Sequence, residues 1–115
     1  MKTFLVTYLA PVSVIDNWKQ TPAEQRKEVE EKMRDEWRQW MTDHAKALVE
    51  PGAGVGKTKR VTAQGIADIR NDMMLYAVAE AESHEAAAKL FEHHPHLQIP
   101  QSSIEVMEIN SLQGM

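Results

Sequence analysis

Three stretches of the chain are apolar or alternate apolar and polar residues over the length of a β-strand, at residues 3–9, 73–79 and 103–109. β-Branched and aromatic side chains dominate the first, and the second is almost wholly apolar, as expected of a central strand. Between them, apolar residues recur at three- and four-residue spacing over residues 21–48, which indicates a long helix with one buried stripe. A shorter helix is predicted to begin at Ser83 and to be stopped by Pro95. The order strand, helix, strand occurs twice, which predicts a split βαβ sandwich.

The helix ends carry their own signals. Thr21 to Glu24 reads as a capping box that starts the long helix, with Pro22 at a position where the missing N–H costs nothing. Ser83 is predicted to cap the second helix, and Pro95 to stop it.

A glycine-rich segment, residues 51–58, follows the long helix. It differs from a phosphate-binding P-loop because Pro51 stands where the first glycine is needed, and because a helix precedes it. We therefore predict a flexible turn leading into a second strand at residues 59–62, and a connection to the third strand at residues 63–72.

Composition narrows the class of protein. The 115 residues predict a single domain, residues 1–115, and the lack of cysteine excludes disulfides and fits a cytoplasmic setting. A net charge of −4 argues against nucleic acid as a partner. No segment approaches the ~20 apolar residues needed to cross a bilayer, so no membrane association is expected.

Two residues are candidates for acid–base chemistry, His96 and Glu105. His96 follows the helix-stopping proline, in a turn of the kind that binding sites favour, and the alternative is a buried donor. On the last strand Ile104 and Val106 face one way and Glu105 faces the other, away from the helices, where the alternative is a solvated carboxylate or an ion pair at an interface. His93 and His94 are adjacent and point to different faces of a helix, so we expect no metal site, and a solvated helix end is the simplest interpretation of both.

The aromatic residues supply the candidate ligand-binding surface: Tyr8, Trp40 and Tyr76. For Trp37 and Trp40 two interpretations stand, which are core packing alone and core packing that also lines a pocket.

The whole chain resembles the YCII-related proteins, which are relatives of the DGPF-domain group. The specific part is the C-terminal ending, His94-Pro95-His96-Leu97 followed by Ser103-Ile104-Glu105-Val106-Met107-Glu108-Ile109, and the rest is an N-terminal Phe4-Leu5-Val6 strand and a charged long helix. The resemblance implies an α+β, ferredoxin-like βαββαβ fold, with an antiparallel sheet, helices on one face, and pairing of two sheets into a dimeric α+β barrel.

Some proteins of that family are thought to use a histidine of the first helix together with an aspartate just before the proline that ends the second helix, and at least one is a dehydrochlorinase of a chlorinated aromatic. In this chain His94 precedes that proline, and the family's histidine position falls between Arg34 and Trp37, whereas the helix's histidine is His44. The Asp-Gly-Pro-Phe signature is also absent. The resemblance therefore implies the fold rather than the mechanism.

Two classes of function remain open. In the first, an enzyme that needs no cofactor holds a small aromatic or other compact apolar molecule in a cleft between sheet and loops, and His96 moves a proton while Glu105 orients it. In the second, the cleft binds a metabolite without catalysis, or the dimer is a scaffold. In either class the uncovered sheet face predicts a homodimer with an isologous contact.

Overall fold

The computed structural model describes residues 1–112 and contains six strands. They are β1 (Lys2–Leu9), β2 (Leu48–Gly54), β3 (Thr58–Thr62), β4 (Gly65–Ile69), β5 (Met73–Ala81) and β6 (Ser103–Glu108). Four of them form an antiparallel sheet in the order β2-β5-β1-β6, and β3 and β4 form a separate two-stranded hairpin.

Three α-helices accompany the sheet: α1 (Val12–Lys19), α2 (Ala23–Asp43) and α3 (His84–Leu90). Short 3₁₀ helices follow α2, at Ala45–Ala47, and α3, at Pro95–Gln98. The chain is thus an α+β protein with a four-stranded antiparallel sheet and three helices, which is consistent with a ferredoxin-like fold. Within residues 1–112 no helix is long and apolar enough to cross a membrane.

The two faces of the sheet differ in what covers them. Phe4, Val6 and Tyr8 of β1 are almost completely buried against the helices. Leu5 and Leu9 of β1 point to the other face and are half-buried, whereas Thr7 between them is 2% exposed. The molecule is 20 Å thick along its shortest axis, the depth of about one sheet plus one helix layer. We call the face without helices the open face.

The second strand of the sheet is not where the sequence analysis expected it. The helix predicted to reach Leu48 ends at Asp43, and Leu48 instead begins β2. Residues 59–62 do form a strand, but within the hairpin and not in the main sheet. A segment that contains Pro51 can form the second strand of the main sheet because β2 lies at the edge of that sheet, where a residue that cannot donate a hydrogen bond is tolerated.

Gly52 shows why this edge strand has an unusual sequence. Its φ is +81°, in the left-handed region, and an added Cβ would overlap the carbonyl of Tyr76 on the neighbouring β5. The pairing between β2 and β5 shifts register around this point. Glycine is therefore required to carry β2 past β5 at an irregularity in the ladder.

The helix caps were predicted with mixed success. Ser83 caps α3 as expected, because its Oγ accepts from the backbone N–H of Ala86 at 3.1 Å. The capping box of α2 was wrong: Pro22 occupies the cap position without a side-chain hydrogen bond. Thr21 Oγ1 instead donates to the carbonyl of Asn17, since the preceding residues form α1 and bring that carbonyl within reach.

Candidate functional site

Five aromatic and histidine rings meet on the helix-covered face, between β1, α2 and the corner that follows α3. We call this set the ring cluster: Tyr8, Trp37, Trp40, His94 and His96. The Tyr8 ring lies 5.2 Å from that of His94 and 5.4 Å from that of His96, measured between centroids. Strand β1 thus forms the floor of the cluster.

The corner after α3 turns His94 inward. His93 has a φ of +63°, in the left-handed region that commonly ends a helix, and its side chain is exposed. The next residue, His94, is 1% exposed, and its ring centroid lies 4.4 Å from each of the Trp37 and Trp40 rings. The expectation of a solvated helix end is therefore confirmed for His93 and wrong for His94.

Hydrogen bonds assign the tautomer of His94. Its Nδ1 accepts from the backbone N–H of His96 at 3.0 Å, so a neutral His94 ring carries its proton on Nε2. This Nε2 is buried and has no hydrogen-bond partner. His94 thus presents an unused donor next to the edge-on Trp37 ring.

In His96 the ring nitrogen without a partner is an acceptor, whereas in His94 it is a donor. The side chain is fully buried, and its Nε2 lies 2.8 Å from the carbonyl of Leu9. A carbonyl can only accept, so a neutral His96 carries its proton on Nε2 and keeps a lone pair on Nδ1. That Nδ1 is buried and has no hydrogen-bond partner. The corner therefore holds one unused donor, on His94, and one unused acceptor, on His96.

Burial keeps both imidazoles uncharged. It lowers the pKa of His94 from 6.5 to about 3, and nearby His96 and His44 act in the same direction. Burial also lowers the pKa of His96, against the backbone carbonyls of Leu9 and Ser103, which favour the charged ring. The pKa of Tyr8 is raised by burial as well. Near neutral pH the two rings are thus neutral hydrogen-bonding groups.

Trp40 closes the cluster on the helix side. It is 9% exposed and stacks on His44, with centroids 4.3 Å apart and an interplanar angle of 19°. His44 Nδ1 lies 2.8 Å from the Trp40 carbonyl, which fixes the His44 ring at the end of α2. The packing and pocket interpretations of Trp40 are compatible, because the same ring belongs to the core and touches His94.

The candidate residues from the sequence divide between the two faces of the sheet. Tyr8, Trp40 and His96 lie together in or against the ring cluster. Glu105 and Tyr76 lie on either side of Thr7 across the open face, because both pair with Thr7 in the sheet register. Glu105 is exposed, as the alternation of β6 predicted.

The sheet therefore separates Glu105 from His96 within the chain. Glu105 is not a hydrogen-bond partner of His96, whose Nε2 is bound to the Leu9 carbonyl. The orienting group of His96 is a backbone carbonyl instead of a carboxylate. Sequence reasoning had left Trp37 open as a residue that could line a pocket, but it missed His94, although His94 lies directly before the proline that was used to place His96.

An apolar groove adjoins the ring cluster. It has a volume of about 450 Å³ and lies between α1, the first half of α2 and residues 98–100. Met33 lines it one helical turn before Trp37, and Gln98 lines it two residues after His96. Gln98 also donates to Glu36 of α2 at 2.8 Å. Only a single helical turn thus separates the groove from the Trp37 ring.

No group of three or more His, Asp or Glu side chains within residues 1–112 is arranged to hold a metal ion. In comparisons with known proteins, neither a family model nor a curated protein sequence matches the chain.

Proposed function

We propose that this chain is a small-molecule-binding protein of the YCII-like type, which holds an aromatic or other compact apolar ligand between the apolar groove and the ring cluster, and that His96 and His94 perform cofactor-free acid–base chemistry on it. The observation that carries the proposal is the pair of buried, unpartnered imidazole nitrogens. A buried polar atom without a partner costs about 1–3 kcal/mol, and native proteins pair the large majority of such atoms, so each of the two nitrogens calls for a partner that the chain itself does not supply.

The two nitrogens have complementary roles. Nδ1 of His96 carries a lone pair, and burial keeps the His96 ring neutral, so this nitrogen can act as a general base. Once it is protonated, the imidazolium is favoured by the backbone carbonyls of Leu9 and Ser103. Nε2–H of His94 is a donor for an oxygen or nitrogen atom of the ligand. A ligand with an acidic C–H or N–H next to a carbonyl would use both groups.

Access to these nitrogens runs through Trp37. The ring cluster is closed, but Trp37 is only half-buried, and it follows the groove by one turn of α2. Rotation of this side chain would join the 450 Å³ groove to the two histidines, and the joined volume falls in the usual range for small-molecule sites. In the family that the chain resembles, the positions of Trp37 and His94 fall close to those of the catalytic pair, which supports the same location.

The test uses variants that keep the packing. A thermal-shift screen of small aromatic and carboxylic metabolites supplies a ligand, since a molecule that binds the folded state raises the melting temperature. Gln at position 96 can still donate to the Leu9 carbonyl but lacks the Nδ1 lone pair. Asn at position 94 can still accept from the His96 amide but lacks the Nε2 donor. We expect each substitution to weaken ligand binding about tenfold, and His96→Gln to lower any turnover by about 10²- to 10⁴-fold.

Two matched controls separate this proposal from its alternatives. His93→Ala changes an exposed neighbour, and Glu105→Gln changes the opposite face, so neither should alter affinity. Loss of binding in Glu105→Gln together with full binding in His96→Gln would move the site to the open face. If the unaltered chain binds the ligand but neither it nor any variant converts the ligand to a product, the result would favour a metabolite-binding module without catalysis.

We also propose that two copies pair through the open face as a dimeric α+β barrel. Support comes from the apolar surface that the helices leave uncovered, around Leu5, Val78 and Met107, which are neighbours across β1, β5 and β6. Leu5→Glu should convert a dimer to a monomer in light scattering at micromolar concentration, whereas Ala88→Glu, on the exposed side of α3, should not. A monomeric mass for the unaltered protein would contradict the proposal.

A further inference from the structure

The structure contains a second cavity, which is larger than the apolar groove. It is a cleft of about 1070 Å³ between α1 and the base of the β3–β4 hairpin. Its walls come from the first turn and the end of α1, from the β2–β3 connection at residues 55–57, and from residues 68–74. None of the five residues of the ring cluster contributes to it.

Positive charge is concentrated in this cleft. Four cationic side chains line it: Lys19, Lys57, Lys59 and Arg70. Two carboxylates neutralise part of this charge. Arg70 is held by Asp16 through two hydrogen bonds of 3.0 and 2.8 Å, and Lys59 is held by Asp68 at 2.6 Å.

Of the remaining two lysines, Lys19 lies close enough to Asp16 to help lower the pKa of that carboxyl. Neither Lys19 nor Lys57 forms an ion pair with any residue of the described part of the chain, residues 1–112. With Asp72, which accepts from the backbone N–H of Val12 in the cleft wall, three carboxylates stand against the four cations, so the cleft has a surplus of one positive charge although the chain as a whole has a net charge of −4. Such a local surplus attracts anions to the cleft.

The rest of the lining is largely apolar. Val12 and Ile15 of α1 face this space together with Val55, Ile69, Met73 and Met74. Gly56 leaves the connection open beside Lys57, since no atom lies within 4 Å of an added Cβ. The cleft thus joins an apolar wall to two unpaired ammonium groups, which is the combination that recognises an anionic head on an apolar body.

We infer that this cleft binds a small organic anion, an aryl or alkyl carboxylate, with its carboxylate at Lys57 and Lys19 and its apolar body against α1 and β5. The Arg70–Asp16 pair links α1 to the residue that follows β4, so it joins two of the segments that line the cleft. A phosphate-binding loop is not involved, because the β2–β3 connection leads into a strand and not into a helix.

The test is isothermal titration of the full chain with three probes, phenylacetate, 1-naphthoate and octanoate. At least one should bind with an affinity that falls about tenfold or more in the double variant Lys19→Gln/Lys57→Gln and falls with added salt. The matched control is Lys27→Gln/Lys46→Gln, two exposed lysines that do not line the cleft, and it should leave affinity unchanged.

Three further measurements test whether the ligand's charge is recognised and whether the ligand binds in this cleft. Phenylacetamide, which lacks the charge, should bind at least tenfold more weakly than phenylacetate, and inorganic phosphate should not compete. Binding should persist in His94→Asn, which separates this cleft from the ring cluster. The inference is overturned if all three carboxylates fail to bind at millimolar concentration, if the double lysine variant binds them normally, or if His94→Asn abolishes their binding.

Discussion

The burial of His94 predicts a stability that falls on mild acidification. Burial lowers its pKa in the folded state to about 3, whereas in the unfolded chain the ring has its ordinary pKa of 6.5. At a pH between these two values, His94 is protonated in the unfolded chain but stays neutral in the folded protein. The free energy of unfolding is therefore unaffected by His94 above pH 6.5, and it decreases as the pH falls from 6.5 toward 3.

The magnitude follows from the gap between the two pKa values. Each pH unit below the unfolded pKa lowers the free energy of unfolding by about 1.4 kcal/mol, so His94 alone accounts for about 2 kcal/mol between pH 8 and about pH 5. His96 acts in the same direction, because burial lowers its pKa too. A loss of this size is a large fraction of the stability of a domain of this length.

Urea unfolding at about pH 8 and about pH 5, followed by tryptophan fluorescence, measures this difference. His94→Asn removes the titrating ring but keeps an acceptor for the His96 amide, so its loss between the two pH values should be about 2 kcal/mol smaller than that of the unaltered chain. The comparison is unaffected by the variant's lower overall stability, since only the change with pH is used. His93→Asn, at the exposed neighbour, should retain the full loss. If His94→Asn loses as much stability as the unaltered protein, His94 is not buried in a neutral form and the reasoning fails.

Two further predictions concern the backbone. Gly52→Ala should lower the free energy of unfolding by roughly 3 kcal/mol or more, because the new Cβ would meet the Tyr76 carbonyl, whereas Gly56→Ala should stay within about 0.5 kcal/mol of the original; equal urea midpoints for the two would contradict the proposed irregularity of β2. Ser83→Ala should cost about 1 kcal/mol through loss of the cap on Ala86, and Ser83→Asn should restore most of it; an Ala variant as stable as the original would mean that the cap contributes nothing.

The parts of the fold that the sequence predicted are those where local and tertiary preferences agree. β1 is rich in β-branched and aromatic residues, β5 is mostly apolar, and β6 alternates Ile104 and Val106 with polar residues. All three strands lie where expected, and Ser83 caps the helix that follows β5. β2 was missed because its sequence, with Pro51 and two glycines, has no strand preference of its own. Its pairing with β5 supplies what the local sequence lacks, and no local pattern contains that information.

The candidate site was predicted in the same partial way. Periodicity correctly placed Glu105 on the face away from the helices, but it could not show that His96 would lie on the other side of the sheet. His94 was assigned to solvent because a helix was assumed to continue to Pro95. In fact α3 ends at Leu90, and the left-handed residue His93 redirects the chain into the core. One backbone dihedral angle therefore decided which histidine is buried.

The choice of histidine at position 94 is itself an argument for function. Its Nδ1 accepts from the amide two residues ahead and so caps the 3₁₀ helix Pro95–Gln98, a role that asparagine or aspartate fills equally well. The cap therefore explains Nδ1 but does not explain the buried Nε2–H, which has no hydrogen-bond partner and brings with it the acid sensitivity worked out above. A side chain that lowers stability without improving the cap is expected where the extra nitrogen is used, and the nearby unpaired Nδ1 of His96 provides the complementary group for that use.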